Sequence, residues 1–154
     1  MLWIPTGAPG YRNAPVAGAE HRVAMLKLAL AGEPRYRIDS RELVPGASGY
    51  TVDTLKSLRA ETGSTDSLYL LMGGDQYAAL ATWRQPDEVK KLARIAVFAR
   101  PGFKLAGSDA ETVVMKPMSI SASEIRMRVA RNQSIASMVP NPVYKYIMEN
   151  KLYH

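Results

Sequence analysis

Hydroxyls, a carboxylate and an arginine gather within about two turns at Ser119-Ile120-Ser121-Ala122-Ser123-Glu124-Ile125-Arg126. Ser121 followed by Glu124 has the form of a capping box, in which the serine oxygen accepts a backbone N–H and a helix begins. Ile125 and Val129 then share its inward face. The free N–H groups and the positive dipole end of such a helix attract anions. Ser123 adds a hydroxyl, and Arg126 adds a planar fork suited to phosphate oxygens. The chemistry on offer is a phosphate grip. Taken alone, the segment favours a plainer reading, a capped surface helix with a solvated arginine, because most capping boxes are structural.

A second candidate lies at Gly73-Gly74-Asp75, which abruptly ends the apolar run Leu68-Tyr69-Leu70-Leu71-Met72. In open parallel sheets ligands bind beyond the carboxyl ends of strands, and glycine there lets a ligand approach the backbone. Asp75 can cap the following helix or accept hydrogen bonds from a ribose hydroxyl, and the two roles can coexist.

The elements that must position these residues alternate between short apolar runs and helical stretches, which predicts a parallel α/β sheet. Leu2 to Pro5 reads as a buried strand cut short by the Pro5, Gly7, Pro9, Gly10 cluster. A helix over Ala19–Ala31 buries Val23, Met25, Leu26, Leu28 and Leu30 and is stopped by Gly32 and Pro34. Tyr36 to Asp39 is a strand. Thr51 to Thr62 is a helix with Val52, Leu55 and Leu58 in register and Gly63 at its end. Pro86–Leu92 is helical, Arg94–Ala99 and Thr112–Met115 are strands, and Asn141-Pro142 opens a C-terminal helix with asparagine as its cap and Val143, Tyr146 and Ile147 packed.

Composition narrows the function classes. With 154 residues and 47% hydrophobic content, the chain suits a single domain spanning 1–154. No apolar run approaches bilayer-spanning length, and Met1-Leu2-Trp3-Ile4-Pro5 has no signal-like character. The chain has no cysteine and two histidines, His21 and His154, so neither a disulfide nor a thiolate or histidine metal centre is expected. A formal charge of +6 favours an anionic partner. The tightest basic group, Arg126, Arg128 and Arg131, lies on one short helix, and no long basic stripe with interleaved aromatics marks a nucleic-acid surface.

Read end to end, the chain resembles bacterial nicotinate-nucleotide adenylyltransferases. The resemblance runs through the Ile4-Pro5 loop with Pro9 and Arg12, Ala19-Glu20-His21-Arg22, Ser48-Gly49-Tyr50-Thr51-Val52-Asp53-Thr54-Leu55, Gly73-Gly74-Asp75, Thr82-Trp83 and Ala99-Arg100-Pro101-Gly102. It continues through Ile120-Ser121-Ala122-Ser123-Glu124-Ile125-Arg126, similar to the nucleotidylyltransferase signature, and Val139-Pro140 to Leu152-Tyr153. Each segment is weak by itself; their order and spacing make the case, and they reverse the plainer reading of the serine segment.

The resemblance implies a Rossmann-like nucleotidylyltransferase fold and transfer of the adenylyl group of ATP to nicotinate mononucleotide in NAD synthesis. It assigns Ser121, Ser123 and Arg126 to the ATP phosphates and Gly73, Gly74 and Asp75 to a nucleotide ribose. Trp83 would stack on the nicotinate ring, against a core role usual for tryptophan. Thr51 is matched to the carboxylate or amide contact, against plain N-capping. Arg84 stands where the family often has an aromatic residue, and its guanidinium suits the nicotinate carboxylate. Arg12 would approach the mononucleotide phosphate or stay solvated. Magnesium (Mg2+) would arrive with ATP. The expected location is cytoplasmic, with ATP and nicotinate mononucleotide as partners, and neither nucleic acid nor membrane.

The resemblance begins at the family's second strand, so a first strand and a His-x-Gly-His segment, roughly 30 or more residues on the scale of a βαβ unit, are expected to be missing. His21 belongs to another segment and is expected to be a surface or packing residue, leaving no catalytic residue assigned. Severely reduced adenylyl transfer follows as an expectation. The alternatives are a nucleotide-binding fragment with impaired catalysis and a related nucleotidylyltransferase with another phosphate acceptor. Oligomeric state is not encoded legibly.

Overall fold

Alternation of apolar runs with helical stretches becomes parallel strands and helices in the computed structural model, which describes residues 1–7, 13–63, 67–98, 110–114 and 119–154. In chain order the elements are β1 (Leu2–Trp3), α1 (Ala19–Ala29), β2 (Arg37–Ile38), α2 (Thr51–Thr62), β3 (Tyr69–Gly73), α3 (Gly74–Ala78), α4 (Pro86–Leu92), β4 (Arg94–Phe98), β5 (Glu111–Val113), α5 (Ala122–Ala130) and α6 (Asn141–Glu149). Short 3-10 turns occupy Arg41–Leu43 and Leu80–Thr82. Two compact units result, Met1–Gly49 with Ser119–His154, and Tyr50–Met118.

In the Tyr50–Met118 unit β4 lies between β3 and β5, and both ladders are parallel, running from Tyr69↔Arg94 to Gly73↔Phe98 and from Ala96↔Glu111 to Phe98↔Val113. Ile95, Ala96 and Val97 are consecutive buried residues, the pattern of a strand covered on both faces. Val52 and Leu55 of α2, Met72 of β3, Leu80, Val89 of α4 and Ala93 complete this core. The expected bounds of α2 and α4 are met. Gly63 closes α2 with φ of +77°, where an L side chain would be strained, and its N–H donates to the Arg59 carbonyl at 2.9 Å.

The other unit pairs β1 with β2 in parallel and builds its core from Val129 of α5, Ile135, and Val143 and Ile147 of α6, with Met25 and Leu28 packed alongside. Two expectations need correction here. Leu2 and Trp3 are exposed rather than buried, because β1 contributes only two residues and pairs with β2 alone among the described strands. Helix α1 ends at Ala29 rather than Ala31 and has no fully buried residue; Leu30 caps it by donating to the Leu26 carbonyl at 2.9 Å, and Gly32 turns the chain with φ of +86°.

Strand edges also shorten. β2 is Arg37–Ile38 within the expected Tyr36–Asp39, and β5 begins at Glu111 and ends at Val113, with Met115 outside the described residues, as is Ala99 after β4. Asn141 is the first helical residue of α6, and Pro140 takes the cap position without a side-chain bond, so the asparagine cap is not formed. Among the described residues no helix is long and apolar enough to cross a membrane.

Candidate active site

Within the phosphate-grip segment Ser121 is the cap residue of α5, extended at φ −131° and ψ 149°, and its Oγ accepts the Glu124 N–H at 3.1 Å. Half of the capping box therefore forms. The Glu124 carboxylate turns instead to Arg128, whose Nε and Nη2 reach it at 3.0 and 2.8 Å, an i,i+4 pair along the helix. A hydroxyl that accepts one hydrogen bond retains its own O–H for donation. Ser121 can thus cap α5 and still donate to a phosphate oxygen.

One turn on, Arg126 Nη2 donates to Ser123 Oγ at 3.2 Å, which joins two of the three expected phosphate ligands into one group. Arg126 also lines a cleft of about 230 Å³ with Arg22, Tyr153 and the Ala14–Ala17 stretch. Arg22 is fixed by donating Nη1 to the Thr6 carbonyl at 2.6 Å and Nε to the Ala17 carbonyl at 3.2 Å. Burial pushes the Tyr153 phenol above its ordinary value, while the charges of Arg126 and Arg22 oppose that rise. Two guanidinium groups and a phenol make this cleft receptive to an anion. Arg22 and Tyr153 escaped the sequence reading as site residues; the only signal was their place in matched segments.

In the other unit, β3 ends its parallel ladder at Gly73, and Gly74 opens α3 directly after it. Gly74 is buried, and a Cβ built on Gly73 would meet no atom within 4 Å, so the space in front of it is open. Asp75 is exposed in the first turn of α3. Its expected capping role is not realised: Gly73 is the cap residue, and no side chain caps this helix. Asp75 is thus an exposed carboxylate just beyond the carboxyl end of β3, able to accept hydrogen bonds.

Arg84 reaches the start of α2 through Tyr50, and Trp83 packs on the core that Tyr50 also joins. Tyr50 is the cap residue of α2 and Thr51 the first helical residue, so the plain N-capping role for Thr51 is absent. Trp83 is half-buried, and both it and Tyr50 pack against the same apolar core. The Arg84 guanidinium lies over the Tyr50 ring, 4.6 Å from its centroid. Gln85 follows in the left-handed region, φ 52° and ψ 59°, immediately before Pro86 opens α4. That conformation is unreadable from sequence, since residues preceding proline prefer extended backbone.

His21 is the packing residue expected: its Nδ1 lies 3.0 Å from the Tyr146 hydroxyl, and the two rings meet edge to face. Arg12, expected at the mononucleotide phosphate, lies outside the described residues, as do Pro9, Gly10 and the Ala99-Arg100-Pro101-Gly102 segment.

Comparison with known proteins decides what this arrangement belongs to. Residues 1–128 match the cytidylyltransferase-like family. A probable nicotinate-nucleotide adenylyltransferase of Hahella chejuensis is 37% identical, with 97% of this chain aligned to 80% of that protein. The chain belongs to the nicotinate-nucleotide adenylyltransferase family. A second member, the probable enzyme of Salinispora arenicola, is 35% identical over 99% of this chain and 85% of its own length. The fold is that of a Rossmann-like nucleotidylyltransferase: a Plasmodium falciparum nicotinic acid mononucleotide adenylyltransferase complexed with NaAD superposes with a TM-score of 0.75 at 16% identity, covering 99% of this chain and 81% of the other. As a member of this adenylyltransferase family, the chain is a nucleotidyltransferase by descent.

Proposed function

We propose that this protein transfers the adenylyl group of ATP to the phosphate of nicotinate mononucleotide, giving nicotinate adenine dinucleotide and pyrophosphate, an NAD-synthesis step carried out in the cytoplasm. The observation that carries the reading is identity of 33–38% to five relatives named for this reaction, each aligned with 97–99% of the chain. Residues 1–154 act on this reading as one nucleotidylyltransferase domain.

In the reaction an oxygen of the mononucleotide phosphate bonds to the α-phosphorus of ATP, the bond from that phosphorus to the α,β-bridging oxygen breaks, and pyrophosphate leaves. No covalent enzyme intermediate is needed, so the work of the protein is alignment of two anions and stabilisation of charge on the transferring and leaving oxygens. Ser121 and Ser123 donate their O–H groups to ATP phosphates, and Arg126 supplies a charged fork. Gly73 and Gly74 allow close approach of a nucleotide, and Asp75 accepts from its ribose. Trp83 offers a flat face to the pyridine, while Thr51 and Arg84 meet its carboxylate. Magnesium would enter with ATP and would supply charge neutralisation on its phosphate oxygens.

The test is incubation of the chain with ATP, magnesium and nicotinate mononucleotide, with the dinucleotide and pyrophosphate both quantified. Equal formation of the two supports the reading. Saturable ATP binding without either product would replace it with a nucleotide-binding role, and pyrophosphate release with a different acceptor would replace the substrate.

A further inference from the structure

We propose that Tyr50 is a positioning residue for Arg84, holding its guanidinium so that the protein distinguishes a carboxylate from a carboxamide on the pyridine ring. The inference rests on the pyridine mononucleotide reading above and adds to it the device that sets acid-over-amide preference.

Arg84 is exposed and makes no ion pair or hydrogen bond among the described residues; its contact is the Tyr50 ring face at 4.6 Å. Stacking occupies the face of the guanidinium and leaves its rim of N–H donors outward. Arg94 shows what a structurally engaged arginine looks like in the same unit. It also approaches a tyrosine ring, Tyr69 at 5.8 Å, but donates to the Tyr69 hydroxyl at 3.2 Å and lies 3.8 Å from a Glu111 oxygen. Arg84 has its orientation fixed and its donors uncommitted.

The backbone fixes the other end of the side chain. Trp83 is extended, φ −73° and ψ 163°, and half-buried against the core. Gln85 is held in the left-handed region, a conformation that a non-glycine residue keeps only where its surroundings enforce it. The enforcement is visible: the Gln85 carbonyl accepts from Glu88 and Val89 N–H groups, both at 3.1 Å, and its side-chain oxygen accepts from Lys56 Nζ of α2 at 3.1 Å. Arg84 is thus anchored between two constrained residues, and the Tyr50 ring selects one direction for its head.

The ligand chemistry follows. A carboxylate presents two acceptor oxygens to a guanidinium fork and carries the opposite charge. A carboxamide presents one acceptor and an NH2 group that opposes the arginine donors. Without the ring, the long arginine stem would spread its head over many rotamers and lose that selectivity.

The test is calorimetric binding of nicotinate mononucleotide and nicotinamide mononucleotide to the full chain, read as the ratio of their affinities. The native chain should prefer the acid. Arg84→Gln should cut the ratio about tenfold or more, Tyr50→Leu about two- to fivefold, and Tyr50→Phe, which keeps the ring, should leave it intact. In an Arg84→Gln background Tyr50→Leu should change nothing further. Arg84→Lys leaves the Tyr50 packing in place and should cut the ratio in the same direction as Tyr50→Leu, which covers the case in which Tyr50→Leu does not fold. A ratio unmoved by Tyr50→Leu, or by Arg84→Lys where Tyr50→Leu does not fold, or moved by Tyr50→Leu equally without Arg84, overturns the inference and spares the pyridine reading. Failure of the native chain to bind either mononucleotide overturns both.

Discussion

His21 and Tyr146 meet with Nδ1 and the phenolic oxygen 3.0 Å apart and their rings inclined at 63°. The pair joins α1 to α6, two helices that contact each other in the same unit. Because the imidazole is engaged by a neighbouring helix, its role is cohesion. Tyr146→Phe keeps the ring packing and deletes the hydrogen bond, so stability should fall by about 1 kcal/mol while ATP affinity stays unchanged. Urea midpoints with parallel nucleotide titrations check this; a large drop in ATP affinity at unchanged stability would move His21 into the site.

On the proposed function, the serine segment should separate into a structural and a ligand-binding contribution. Ser121→Ala removes the oxygen that accepts from Glu124 N–H, and should lower stability by about 1 kcal/mol through loss of the cap. Arg126→Ala should leave the helix in place and weaken ATP binding about tenfold to a hundredfold, as expected for a lost charge-assisted contact. Thermal unfolding and ATP titration of both variants give the comparison, and equal ATP affinity in Arg126→Ala and the native chain would contradict the assignment.

Trp83 is half-buried, with part of its surface on the core. Trp83→Ala should weaken nicotinate mononucleotide binding about tenfold or more through lost stacking and also reduce stability. Trp83→Phe retains an aromatic face and should recover most of the affinity. Recovery of stability without recovery of affinity would show that the indole is needed for packing and binding in different ways.

Acid stability should depend on Asp39. Arg41 donates Nε to Asp39 Oδ2 at 2.7 Å and its backbone N–H to Oδ1 at 2.9 Å, and the side-chain bond above all holds the carboxyl below its ordinary value. A carboxyl that is more acidic in the folded state contributes stability above its unfolded pKa of about 4, and that contribution is lost as pH falls through the lower folded value. Asp39→Asn should therefore be less stable near pH 6, by about 1 kcal/mol, with the gap closing toward about pH 2 as the native carboxyl is itself protonated. Denaturant unfolding across that range is the measurement.

Alkaline behaviour should depend on Tyr153, whose burial raises its phenol above the ordinary value of 10.0. A raised folded pKa means that stability is intact below the unfolded value and falls as pH climbs through the folded one. The native chain should lose thermal stability from about pH 10 upward, and Tyr153→Phe should lose less. Melting curves from about pH 9 to about pH 11 decide it.

Much of the architecture was legible because local rules wrote it. The register of Val52, Leu55 and Leu58 with Gly63 gave α2 its bounds, Pro86 opened α4, and the apolar run Leu68–Met72 gave β3 with each end shifted by one residue, to Tyr69–Gly73. Reading failed where neighbours decide. Leu2 and Trp3 carry apolar side chains suited to a buried strand, yet their exposure follows from how few strand partners flank them.

By itself the sequence determined the parallel α/β class, the family, and which residue types stand at the positions proposed for phosphate and pyridine, since helical periodicity, capping chemistry and motif order are properties of neighbouring residues along the chain. Tertiary structure alone decided that the Glu124 carboxylate serves Arg128 rather than closing the capping box, that Gly73 rather than Asp75 caps α3, and that Arg84 lies on Tyr50 while Arg22 and Tyr153 share a cleft with Arg126. These outcomes join residues competing for partners across elements, and such competition is resolved only when packing fixes which groups are within reach.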